Sequence, residues 1–279
     1  LTGRFLKFLK DLTEKDPAAY EKFYQEVNRI LKVGVVTDFA HKADVAKLLR
    51  YESSGMEAGK LTSLSEYVTR MQAEQTEIYY LLAPNREAAE NSPYFEVFKS
   101  RKLEVLFMYD PWDEFVMEHL HTFEEKDVRP AEKAELNLAD TETKEGALSE
   151  EEAKGLAAWL KERFGGSINE VRASQRLVDS PAVVVDGDKF MTSSMRRIMK
   201  SMKKEGEEPI PFKQDLEINP RHPIITRLDK MRHSDVDLAG KVAEQVLDNA
   251  RVAAGLLEDP RKMLKRLNEL LEQVLTIKG

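Results

Sequence analysis

The two apolar stripes at the C-terminal end constrain this chain more than any other feature. One predicted helix runs from about Asp235 to Leu257 and carries Val242, Val246, Leu247 and Ala250 on one face. Asp259-Pro260 then gives a capping carboxylate followed by a proline in the first helical position. The second helix carries Leu264, Leu267, Leu271 and Val274, widened by Met263, Leu270 and Leu275. A two-helix hairpin cannot bury that much apolar surface within itself, so it needs either the preceding domain or a second copy of the chain. A C2 four-helix bundle meets the need with one patch used twice.

At 279 residues the chain has room for two domains. Its first 50 residues read as helices. Phe5, Leu6, Phe8, Leu9 and Leu12 form one apolar face, and Asp16-Pro17 opens the next helix with Tyr20, Phe23, Tyr24, Val27, Ile30 and Leu31 at helical spacing. The middle alternates. Ser65 is expected to cap a short helix, Ile78 to Leu82 and Leu103 to Met108 read as strands, and helical residues lie between, which makes a βαβ unit with parallel strands. Asp110-Pro111-Trp112 opens another helix. A weak strand and an acidic stretch occupy 127–145, and a domain boundary is expected near Gly146. Ser149 and Glu152 have capping-box spacing, and Gly165-Gly166 ends the helix they open. Two strands, Val171 to Val178 and Ala182 to Asp186, are expected to form a hairpin around Asp179-Ser180-Pro181. A Met-rich helix from about Phe190 to Lys204 follows, then a strand near Leu216 to Ile218, with Asn219-Pro220 starting a further helix.

The fold class is therefore helix-rich α+β. A helical segment (1–55), a small αβα unit (65–125) and a linker strand make the domain 1–145. A mixed α/β domain, 146–279, ends in the helix pair that forms a dimeric bundle.

Composition narrows the function. A net charge of −7 argues against nucleic acid, which needs a concentrated basic surface. No run approaches the roughly 20 apolar residues of a membrane span, so neither nucleic acid nor membrane is an expected partner. Cysteine is absent, which removes disulfides and thiolate chemistry and permits a reducing compartment. His119 and His121 stand two apart on a helix and point in different directions, so they cannot share a metal. No glycine-rich phosphate loop or nucleophile turn is present. No catalytic residue, metal site or cofactor site is expected.

Met191, Met195, Ile198, Met199 and Met202 fall along one side of the Met-rich helix, and Arg196, Arg197, Lys200, Lys203 and Lys204 on the other. Methionine is flexible and polarisable, which suits partners of varied shape, but an apolar helix face is ordinarily core. Both readings stay open from spacing alone. The basic face reads as a solubilising surface.

Several segments resemble the ninety-kilodalton heat-shock chaperone family, in the family's order. They include Leu31-Lys32-Val33-Gly34-Val35 with Asp38-Phe39, Leu48-Leu49-Arg50-Tyr51-Glu52-Ser53-Ser54, Ser92-Pro93-Tyr94-Phe95-Glu96 and Asp113-Glu114. Gln175 to Ala182 resembles the family's C-terminal hairpin, and Leu216 to Pro223 its later strand-to-helix junction. The resemblance covers nearly the whole chain and implies the C-terminal part of a middle domain followed by a C-terminal dimerisation domain. It implies that ATP and magnesium bind in an N-terminal domain outside this chain, whose opening Leu1-Thr2-Gly3-Arg4 reads as a cut within a longer protein. It implies a homodimer that holds unfolded or partly folded client proteins. Clients would meet Met191, Met195, Ile198, Met199 and Met202, and Trp112 with Phe115. The ending lacks the acidic pentapeptide of eukaryotic cytosolic members, which points to bacterial HtpG-type or mitochondrial members, hence a bacterial cytoplasm or a mitochondrial matrix. The rival reading is a structural module that dimerises and transmits motion while clients bind elsewhere.

Overall fold

The computed structural model describes residues 2–135, 146–188, 191–202 and 214–277. The chain divides into two units, one formed by Leu1–Asn91 with Lys102–Ala134 and the other by Ser92–Arg101 with Glu135–Gly279. Residues 136–145 of the expected linker strand 127–145, with Phe190, Lys203 and Lys204, lie outside the described residues.

The first unit opens with helices α1 (Thr2–Lys15), α2 (Pro17–Thr37) and α3 (Lys42–Ala46). Asp16 caps α2 by accepting from Ala19 N, with Pro17 in the first turn as its sequence position requires. The α2 tyrosines are buried amphipathically. Tyr20 and Tyr24 pack their rings into the core and donate their hydroxyls to Leu48 O (2.5 Å) and Arg50 O (3.0 Å). These bonds tie α2 to the chain entering β1 (Glu52–Ser53). Helix α4 (Leu64–Arg70) is capped by Ser63, not by the expected Ser65. Ser63 stands three residues before Glu66 and completes a capping box, whereas three residues after Ser65 there is only Val68.

Strand β2 (Glu77–Leu82) leads through α5 (Arg86–Glu90) and α6 (Glu96–Arg101, in the second unit) to β3 (Leu106–Met108). β2 and β3 are parallel, as the strand–helix–strand order requires. Then come α7 (Trp112–Leu120), β4 (Thr122–Phe123) and β5 (Lys126–Pro130). The five strands lie in the order β1-β3-β2-β5-β4. The central strands are buried along nearly their whole length, and Ile78, Tyr80, Leu106 and Met108 share one core with the tyrosines of α2.

The second unit continues with α8 (Glu150–Phe164), β6 (Ile168–Ala173), β7 (Ala182–Asp186), α9 (Ser193–Met202), β8 (Gln214–Ile218), α10 (Pro223–Ser234), α11 (Val236–Ala253) and α12 (Pro260–Ile277). Ser149 and Glu152 form the expected capping box. The expected hairpin does not form. β8 lies between β6 and β7, parallel to the first and antiparallel to the second. The turn that should have closed the hairpin is instead held open. Glu96 of α6 accepts from Val178 N (2.7 Å), Asp179 N (3.0 Å) and Ser180 Oγ (2.5 Å), and Asn219 Nδ2 donates to Val178 O and Ser180 O. With Asn219 so used, α10 starts later than expected, at Pro223, under His222. A bulge between Ile168 and Glu170 resets the alternation of β6, so Ile168 and Val171 are both buried.

One face of this sheet is ionic. Glu217 of β8 accepts from Arg176 Nε and Arg172 Nη2 at 2.9 Å each and from Ser174 Oγ at 3.1 Å. Burial pushes its carboxyl up, but the charges of Arg176 and Arg172 outweigh that and hold it below the ordinary 4.5. Glu217→Ala would remove the carboxylate that pairs with buried Arg176 and with Arg172, and the expected cost is about 3–5 kcal/mol. A depressed carboxylate contributes stability that is complete above its unfolded value and lost as pH falls through the folded one. Urea unfolding should therefore show the wild-type advantage at pH 7 and its shrinkage as pH drops below 4.5; an equal advantage at pH 7 and pH 3 would remove the ionic account.

Candidate functional site

Three surfaces carry the sequence-predicted residues: α9 and the α11–α12 pair in the second unit, and the start of α7 in the first.

Helix α9 is docked by its charged side. Asp186 ends β7, and its side chain is only 1% exposed, so it requires a counter-charge. Arg196 supplies it, with Nε 2.6 Å from Asp186 Oδ2. Arg197 Nη2 donates to Ser194 Oγ at 2.9 Å, and its stem lies over the backbone at Gly255. The two arginines are therefore turned to the protein, which corrects the solubilising reading for Arg196 and Arg197. Lys200's side chain is outside the described part. At the start of the helix Thr192 Oγ1 accepts from Met195 N (3.0 Å), and the Tyr94 hydroxyl donates to Val184 O and lies 3.3 Å from Ser193 Oγ.

The methionine stripe is divided as a consequence. Ile198 is 6% exposed and belongs to the unit's core. Met191 and Met195 are half-buried. Met199 and Met202 are 44% and 65% exposed. Met191 precedes α9, so only Met195, Ile198, Met199 and Met202 share a side of the helix, and of these only Met199 and Met202 open to solvent.

The start of α7 presents Trp112 and Phe115, whose rings lie 5.7 Å apart with planes at 55°. Trp112 is exposed and Phe115 half-buried. Asp110 Oδ1 accepts from Trp112 N at 3.0 Å and so fixes the first turn. The opposite side of α7 is held by buried acids. Lys32 Nζ of α2 lies 3.0 Å from Asp110 Oδ2 and 2.8 Å from Asp113 Oδ1, and the Tyr80 hydroxyl donates to Glu114 Oε1 at 3.2 Å. Burial pushes the Asp113 carboxyl up to about 6, with Lys32 pulling against it. Burial also opposes charge on Asp110, but the Trp112 N–H and Lys32 prevail and its carboxyl stays below the ordinary value. The sequence reading missed Lys32. Its signal was a lysine inside the buried arc of α2, beside Leu31 and Val35.

The terminal pair also divides. Val246, Leu247 and Ala250 of α11 are buried within the unit, so this stripe is largely satisfied inside the chain. Val242 and Leu267 are half-buried. Leu264, Leu271 and Val274 of α12 are each about half exposed, and Leu275 is 73% exposed. α12 leans on α11 partly through charge. Lys241 pairs with Glu269 (2.8 Å), while Arg266 reaches Glu244 (3.1 Å) and Asp248. Those pairs lie on the flank away from Leu264, Leu271 and Leu275, which remain uncovered.

Among the described residues, no group of three or more His, Cys, Asp or Glu side chains is placed to hold a metal, and no helix is long and apolar enough to cross a membrane.

Over residues 1–279 the chain matches the family model described as Hsp90 protein. It is 42% identical over 278 residues to the chaperone protein HtpG of Desulfitobacterium hafniense (strain Y51), covering 99% of this chain and 45% of that protein. It is 39% identical over 284 residues to the mitochondrial heat shock protein 75 kDa of Rattus norvegicus, covering 99% of this chain and 40% of that one. The chain thus spans less than half the length of these relatives. On the full-length family match and these identities, the chain belongs to the Hsp90 family.

Proposed function

We propose that this chain is the client-holding and dimerising part of a chaperone. The observation that carries the reading is the orientation of α9, which docks through Arg196 and Arg197 and turns Met199 and Met202 outward. A helix that existed only to fill the core would bury Met199 and Met202 together with Ile198. Exposed methionines form a soft surface able to fit segments of different shape, which an unfolded or partly folded client presents. Trp112 and Phe115 supply a second apolar contact of the same kind. Among the five residues of the stripe, Met199 and Met202 are assigned direct contact, Met191 and Met195 its margin, and Ile198 the support beneath it.

The occupant proposed for the open face of α12 is a second copy of the chain. Leu264, Leu271, Val274 and Leu275 would close against their own symmetry mates in a C2 bundle, with Leu267, Val242 and the exposed Val252 at the edge. This face also favours the second reading, a module that only dimerises and transmits motion. ATP dependence would belong to the remaining length of such a protein, where nucleotide and magnesium would bind. The relatives named HtpG and heat shock protein 75 kDa support a bacterial cytoplasm, with a mitochondrial matrix as the alternative. Neither nucleic acid nor membrane is among the proposed partners.

The two readings separate on one pair of variants. Met199→Ser with Met202→Ser alters exposed side chains, so the melting temperature should move by about 2 °C or less. Affinity for reduced, carboxymethylated α-lactalbumin should fall about tenfold, the loss expected from two apolar contacts. Ile198→Ala should behave in the opposite way, costing about 2–4 kcal/mol of stability as a core truncation. Unchanged client affinity in the double variant would favour the purely structural reading.

The dimer is tested on α12. Leu271→Glu is tolerated in a monomer because the site faces solvent, but in a bundle it buries a carboxylate without a partner and costs several kcal/mol, about 3 or more per subunit. Sedimentation at micromolar concentration should report a folded monomer. A variant that stays dimeric would place the interface elsewhere.

A further inference from the structure

Helix α9 is short, and a helix of three turns holds no fixed direction by itself. Two of its anchors have been described, the Tyr94–Ser193 contact at its start and the Arg196–Asp186 pair in its middle. The third is at the far end of α11. There the chain leaves the helix through Gly255 at φ +67°, with Leu256 N donating to Arg251 O (2.8 Å) and Gly255 N to Val252 O (2.9 Å). This is the paired bonding of a Schellman motif, which favours glycine for its left-handed backbone. Glycine is favoured here for a second, independent reason. A Cβ at position 255 would lie 2.8 Å from both Cδ and Nη1 of Arg197. The Arg197 Nη2 bonds to Ser194 Oγ on its own helix, while Cδ and Nη1 occupy the space a Cβ at 255 would need.

We propose that Arg197 is a positioning residue, seated in the niche that Gly255 leaves open, and that this seat sets where α9 presents Met199 and Met202. The turn that forms the seat joins α11 to α12, so the place of the methionines is fixed relative to the hairpin that carries the open face of α12. The functional meaning of the seat rests on the client-contact reading above, but its existence does not. Removing the side chain frees the middle of α9 from the turn. Adding a methyl at 255 displaces the side chain instead, and reaches the same end from the other partner.

The chain contains no cysteine, so Met199→Cys accepts a single nitroxide label without further engineering. In the labelled full chain, Arg197→Ala and Gly255→Ala should each raise label mobility. Together they should raise it no further than the larger single change, since both act on one contact. Far-ultraviolet circular dichroism should show both variants folded. If Arg197→Ala fails to fold, Arg197→Gln and Gly255→Ala carry the same measurement. In the unlabelled chain, Arg197→Ala should weaken binding of reduced, carboxymethylated α-lactalbumin about fivefold, the loss expected from one positioning contact. A label spectrum unchanged in both single variants overturns the proposal whatever the client does. A mobilised label with unchanged client affinity upholds the seat and sinks the client reading. Additive effects of the two changes would show that Gly255 is needed only for its backbone angle, and would overturn the pairing.

Discussion

The buried carboxylate of Asp186 governs the outward chemistry of the second unit. A charge at the end of a buried strand is tolerated only when paired, and Arg196 of α9 pairs with it. That pairing decides which side of α9 faces the protein. With Arg196 and Arg197 turned inward, Ile198 is buried beside them and Met199 and Met202 are left facing out. An apolar surface that protein design would treat as an error is thus the direct result of satisfying one buried ion. Glu217 plays a comparable part within the sheet. Gripped by Arg172 and Arg176, it helps keep β8 in the middle of the sheet, with β7 on one side and β6 on the other.

Much of this was legible in local sequence. Asp16-Pro17, Ser149 with Glu152, and Pro260 behind Asp259 each mark a helix start that the structure places there, because caps depend on residues within one turn. The parallel pairing of β2 and β3 followed from chain order and handedness. The errors arose where a distant residue decides the outcome. Asp179-Ser180-Pro181 has the composition of a tight turn, yet Glu96, some eighty positions earlier, occupies the amides that would have closed it. Asn219-Pro220 has the composition of a helix start, yet the Asn219 side chain is committed to the same loop.

The candidate site was legible in the same measure. Spacing placed Met191, Met195, Ile198, Met199 and Met202 on one stripe, and α9 carries the last four of them, because a helix fixes which residues share a side. It gave no information on which side docks, since that depends on Asp186 and Gly255, sixty-nine residues apart in sequence and together only in the fold. Lys32 was missed for a related reason. A lysine within an apolar arc is ordinarily a stem lying along the surface with its charge in water, and only the acids at 110 and 113 bring it inside.

The two outward apolar faces differ in the kind of side chain they use, and the difference bears on what each can hold. α12 exposes Leu264, Leu271, Val274 and Leu275, which are branched and adopt few rotamers. Such a surface gains most against one partner of matching shape and little against a shifting one, which suits a second copy of the same helix. α9 exposes Met199 and Met202, unbranched and free to rotate about three bonds. That surface gives up shape complementarity and keeps contact with many shapes, which suits a partner without a fixed structure. Met loses more of this freedom in entropy when it is ordered, so on the proposed function contact through α9 would be weaker per unit area than contact through α12. On the proposed function, a chain that stayed associated with its copy while taking and releasing clients would require that inequality.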